Sequence, residues 1–60
     1  SGWALRGVSR GVAWVQSPSG STLQVKAGDV LPDNGGVVKQ VSKYEKDFIV
    51  ITDRGVIVQR

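Results

Sequence analysis

The 60-residue sequence contains no cysteine and no histidine. Without cysteine no disulfide can tie the chain, and the redox compartment is left undetermined. Without histidine the commonest metal ligand and the usual near-neutral acid–base catalyst are both missing. No apolar run approaches the ~20 residues needed to cross a bilayer, and no signal-peptide pattern is present. Aromatic residues are few: Trp3, Trp14, Tyr44 and Phe48. There is no run of one charge. The formal net charge is +3, and the cations Arg6, Arg10, Lys26, Lys39, Lys43, Lys46, Arg54 and Arg60 are spread along the whole chain. A nucleic-acid tract usually shows a run or a stripe.

What is present is β-branched. Valine is the commonest residue, and Val, Ile and Thr dominate the apolar stretches. These side chains are stiff at χ1 and suit a pleated surface better than a helix. No Gly-free window of helical length carries apolar residues at a 3.6 period. The chain reads as short alternating runs bounded by Gly, Pro, Ser, Asn and Asp. It is long enough for one domain, 1–60, and a domain this small buries only about 60% of its unfolded surface. The first residue is Ser, so a piece of a longer protein is expected, with Ser1-Gly2 a remnant of its excision.

The expected runs are Trp3–Val8, Val12–Gln16, Thr22–Lys26, Val37–Val41, Phe48–Thr52 and Val56–Gln59, with Val30 and Leu31 as a short plug between two turns. "SPSGS", residues 17–21, turns the chain between the second and third runs. Ala27-Gly28-Asp29 and Asp33-Asn34-Gly35-Gly36 bend it sharply on either side of the plug, and Pro32 stops the plug because proline cannot donate to a ladder. Ser42–Asp47 reads as a charged turn and Asp53-Arg54-Gly55 as a hairpin. The result is an all-β fold, a small β-sandwich or half-open barrel of six to seven short antiparallel strands. The expected core is Val8, Val12, Trp14, Leu23, Val25, Leu31, Val38, Val41, Phe48, Val50 and Val58.

Reaction chemistry is sparse. Each acidic residue lies beside a turn or a Lys/Arg, and Asp29, Asp33 and Asp53 suit turn capping. Asp47 and Asp53 flank one strand pair, yet both sit in loops beside Lys46 and Arg54, which reads as a solvated rim rather than a glycosidase pair. Gly35-Gly36 lacks the Lys-Ser/Thr and the helix of a phosphate cradle. No enzyme activity, cofactor or metal is expected. Two kinds of binding remain. A small barrel can bind single strands through a basic groove and stacking aromatics. Tyr44, with Lys43 and Lys46, is its best candidate here, Trp3 and Tyr44 being the aromatics that look free to stack. Alternatively, an unpaired sheet edge can capture a partner strand. Trp3–Val8 and Val56–Gln59 are the candidate edges. The contacts expected on the first are Leu5, Arg6, Gly7 and Val8, with Arg10 at the rim.

The order of motifs adds a resemblance. Leu5 to Val8 gives "L-x-G-V", and Val12 to Val15 an Ala-containing strand. Val25, Gly28, Asp29 and Leu31 match "V-x-x-G-D-x-L", and Gly36, Val38 and Val41 match "G-x-V-x-x-V". Val50 and Gly55 match a closing "V-x-x-x-x-G". Over nearly its whole length the chain resembles the periplasmic β-domain of PilP-type proteins of type IV pilus systems. It is also similar to the homology-region domain of the GspC component of type II secretion. The resemblance implies a small β-sandwich or half-barrel in the periplasm, tethered to the inner membrane by upstream sequence. It implies a partner in the periplasmic domains of an outer-membrane secretin, or in inner-membrane assembly proteins. It supplies no catalytic residues. Two Trp and a basic balance depart from the family pattern.

Overall fold

Two kinds of local signal shape the backbone: β-branched runs that extend it and corners that take a positive φ. In the computed structural model, which describes residues 2–60 and leaves Ser1 outside, seven strands form and no helix appears among the described residues. They are β1 (Ala4–Ser9), β2 (Val12–Gln16), β3 (Thr22–Val25), β4 (Val30–Leu31), β5 (Gly36–Tyr44), β6 (Asp47–Thr52) and β7 (Gly55–Ile57). One sheet has the order β1-β2-β3 and the other β4-β5-β6-β7, with every ladder antiparallel. The expected all-β architecture therefore holds. The reading of Ser1 as an excision remnant falls outside the described residues.

The turns follow from handedness. Arg10 and Gly11 both take positive φ, 54° and 80°. That pair of angles matches the right-handed twist of the strands it joins. The turn into β5 has Asp33 at 55° and Asn34 at 60°, and the Gly35 amide donates to the Pro32 carbonyl at 3.0 Å. The turn thus centres on Asp33-Asn34, one residue before the Asn-Gly pair that stands out in the sequence. Gly35 is required for space. A Cβ there would lie 2.7 Å from Leu31 Cβ and 2.9 Å from the Trp3 ring.

Two bulges explain spacings that simple alternation does not. Leu5 and Val8 are three apart, as are Val38 and Val41, so a regular strand would put each pair on opposite faces. The β1–β2 register slips between Leu5 and Gly7, and the β5–β6 register between Val38 and Gln40. Each slip inserts one extra residue, Arg6 and Lys39, and returns the next valine to the inner face. Val8 and Val41 then pack against the core formed by Trp3, Leu5, Ala13, Val15, Val25, Leu31, Val38, Val50 and Ile57.

Several core expectations need correction. On β2 the inward face carries Ala13 and Val15, not Val12 and Trp14. β2 is the middle strand of the first sheet, and the narrow interior takes a small residue there, leaving Trp14 outside and 36% exposed. Trp3, expected to be free, is 4% exposed and walls the core beside Gly35. On β7 the pairing of Ile57 with Val50 turns Ile57 inward and Val58 outward. Phe48 has the right phase but sits opposite Lys43, past the end of the core, and stays 37% exposed. Of the plug only Leu31 is buried, and Val30 is 76% exposed. Finally β5 runs on to Tyr44, so the expected charged turn shrinks to Glu45 and Lys46.

Gly35→Ala should cost about 1–3 kcal/mol by forcing the Trp3 ring or Leu31 to move. Gly7→Ala, whose Cβ meets nothing within 4 Å, should leave stability unchanged or slightly raised. Urea denaturation of both variants checks this; equal midpoints for Gly35→Ala and the parent would refute the packing assigned to Trp3.

Candidate interaction surface

The two edges expected from sequence turn out to face each other. The Leu5 amide donates to the Val58 carbonyl at 2.9 Å, and Leu5 bridges Gln59 in parallel. Residues 58–59 thus join the two sheets, while β7 itself, Gly55–Ile57, pairs only with β6 among the described residues. Leu5 belongs to the same seam and to the core, so it offers nothing to a partner, contrary to expectation. Beyond it, Gly7, Val8 and Ser9 have no strand on the outer side of β1 among the described residues. This is the open part of the edge.

Its surroundings are ordered. Arg6 bulges out of β1, and its Nε and Nη2 donate to Gln16 Oε1 at 3.0 and 2.5 Å. Arg6 Nη1 donates to the Arg60 carbonyl at 3.2 Å. Gly7 lies opposite Trp14 on the outer face, and Val8 turns inward opposite Ala13. Arg10 caps the far end at the tip of the β1–β2 turn and is exposed. Arg6, Gly7, Val8 and Arg10 are therefore brought together along one short edge.

Sequence reasoning missed a further open edge. β3, Thr22–Val25, pairs only with β2 and carries no charged residue. A groove of about 370 Å³ beside it is lined by Val12, Gln24, Val25, Lys26 and Asp29. The available signal was an uncharged run at the end of a sheet, where natural edges are usually blunted by Lys or Pro.

The tip of the β5–β6 hairpin holds the residues expected of a nucleic-acid binder. Tyr44 is 66% exposed, and Lys43 Nζ stands 5.9 Å from the Phe48 ring centroid. Tyr44, Asp47, Phe48, Ile49, Val58 and Gln59 line a groove of about 260 Å³. Trp3 takes no part in this surface. Glu45 and Asp47 alternate with Lys43 and Lys46 in the same turn. Carboxylates therefore accompany the ammonium groups along this tip.

Two of the five acids act as main-chain clamps. Asp53 Oδ1 accepts from the Val37 amide at 2.8 Å, while the Asp53 amide donates to the Val37 carbonyl at 3.2 Å. Asp29 Oδ2 accepts from the Lys26 amide at 2.9 Å, and Lys26 Nζ lies 3.3 Å from Oδ1. The Gly28 amide donates to the Val38 carbonyl and the Val38 amide to the Asp29 carbonyl, each at 2.8 Å. The Gly-Asp corner thereby fastens the end of the first sheet to β5. Among the described residues no group of three metal-binding side chains converges. Comparison of the chain with family models, with curated proteins and with solved structures finds no match.

The Asp29 carboxyl is held below the usual carboxylate range, chiefly by the Lys26 amide, with the Lys26 side chain adding to it. A depressed folded pKa contributes stability above the unfolded value and loses it as pH falls through the folded value. Asp29→Asn should therefore be less stable than the parent at neutral pH. The gap should close as pH drops below the ordinary carboxylate range. Thermal melts of both proteins from pH 7 into acid check the sign; a gap that widens in acid would refute it.

Proposed function

We propose that this domain is a non-enzymatic periplasmic interaction module that links inner-membrane components to an outer-membrane secretin in a type IV pilus, conjugation or secretion machine. One observation carries the reading: the main chain of Gly7–Ser9 lacks a partner on the outer side of β1. Strand addition needs such a row of unmet N–H and C=O groups, and the flanking side chains then supply selectivity. The motif order supports the choice of machine. The residues that carry the resemblance, Gly28-Asp29 and the bulged pairs Leu5/Val8 and Val38/Val41, are also residues this fold needs. On this reading the domain works in the periplasm, held to the inner membrane by sequence upstream, and needs no cofactor.

A small nucleic-acid-binding barrel is the second reading. The exposed Tyr44 beside Phe48, with Lys43 over the Phe48 ring, favours it. The intervening Glu45 and Asp47 oppose it. Oligonucleotide binding at low salt that falls steeply as salt rises would select this reading instead.

Titration of the ¹⁵N-labelled domain with the periplasmic domain of a secretin tests the first reading. The largest shifts are expected at Gly7, Val8 and Ser9 and at Trp14 across the ladder. Shifts confined to the Tyr44–Phe48 tip, or none, would remove β1 as the docking edge.

A further inference from the structure

The net charge of +3 has one address in the fold. Between Gly11 and Gln59 five cations stand against five acids, and they cancel. The whole surplus is Arg6, Arg10 and Arg60. These residues lie far apart in sequence, yet they meet on β1. Arg6 occupies the bulge, Arg10 the turn at the strand's end, and Arg60 follows Gln59, whose bridge to Leu5 lays the last residues along β1. The open main chain of Gly7–Ser9 is framed by all three.

We infer that this edge receives an acidic extended segment of a partner protein, paired main chain to main chain with Gly7–Ser9 and setting carboxylates against Arg6 and Arg10. The inference rests on the interaction-module reading above and adds to it the chemistry of the partner. Among the described residues no Asp or Glu side chain pairs with Arg6 or Arg10. Gln16 and the Arg60 carbonyl fix the Arg6 guanidinium in place, so little side-chain freedom remains to be lost when it binds. Its planar fork retains N–H groups that suit a carboxylate. At Gly7 nothing lies within 4 Å of where a Cβ would be, so the outer face of the sheet is open beside this edge.

The same charges exclude the simplest competitor. A second copy pairing β1 to β1 would bring arginines opposite arginines, and like charges facing across a ladder are destabilising. The edge is thus blunted against itself and open to an acidic strand. A nucleic acid would also find the arginines. It has no peptide backbone to match the unpaired N–H and C=O groups, so the main-chain edge favours a peptide.

The test is an NMR titration of the ¹⁵N-labelled chain with a capped Glu-Val-Glu-Val-Glu peptide, with its Gln and Lys counterparts and a short oligothymidylate as comparisons. The Glu peptide should shift the amides of Gly7, Val8 and Ser9, and the Lys peptide should not. Affinity should fall about fivefold or more in the Arg6→Gln/Arg10→Asn variant, as for two modest charge contacts. It should fall likewise at about 1 M NaCl, where the screening length is about 3 Å. The salt arm needs no variant, so the proposal stays testable even if the double variant folds poorly. If the Gln peptide binds the same amides as tightly, the acidic-partner inference fails while the β1 edge stands. If no peptide shifts these amides, or all shift the Tyr44–Phe48 tip, the edge itself fails. An oligothymidylate that outcompetes the Glu peptide at Arg6 and Arg10 would overturn the inference in favour of nucleic acid.

Discussion

The hydrogen bond from the Leu5 amide to the Val58 carbonyl is the joint on which this domain depends. Sixty residues bury too little surface to tolerate two separate sheets, and no disulfide is available to hold them together. The sheets must share one core, and their edges must meet somewhere. They meet at two places. Residues 58–59 lie along the start of β1, and the Gly28-Asp29 corner bonds to Val38 on the other side. Both seams are closed by main-chain hydrogen bonds, and at the second the Asp29 carboxylate also holds the corner by accepting from the Lys26 amide. Among the described residues the first seam satisfies Leu5 and no strand lies along Gly7–Ser9, the feature on which function is argued.

The bulges connect fold to surface. Each places an extra, cationic residue outside the sheet while keeping the valine that follows on the core face. In β1 the extra residue is Arg6, which then reaches Gln16 and the carbonyl of Arg60. The bulge that lets Leu5 and Val8 share the interior therefore also aims a guanidinium beside the open edge. Among the described residues the Lys39 side chain makes no such hydrogen bond, although β4 reaches only Gly36 and Val37 and leaves that side of β5 without a strand at Lys39.

Much of this was legible in the residues. Glycine, proline and the stretch 33–36 marked nearly every corner, because positive φ and a missing N–H are local demands. Strand existence was legible because β-branched alternation is local too. The candidate edge was legible in part: Arg6, Gly7, Val8 and Arg10 share it, while Leu5 is spent on the seam. Facing was less legible where both faces of a strand are apolar. Trp14 and Val12 looked like core by size and hydropathy, but the middle strand of a small sheet has room inside only for Ala13 and Val15. Trp3 looked terminal and free, yet it fills the space that Gly35 leaves.

The sequence by itself determined that the chain is all-β, where most of its corners fall, and that it lacks histidine and cysteine, since each of these depends on a residue and its nearest neighbours. Only the tertiary structure decided which valines and tryptophans point inward, which edges remain unpaired, and that three arginines scattered from position 6 to position 60 stand beside one short strand. Those outcomes depend on register and on how the two sheets meet. Register is a relation between distant segments, and no single stretch of the chain carries it.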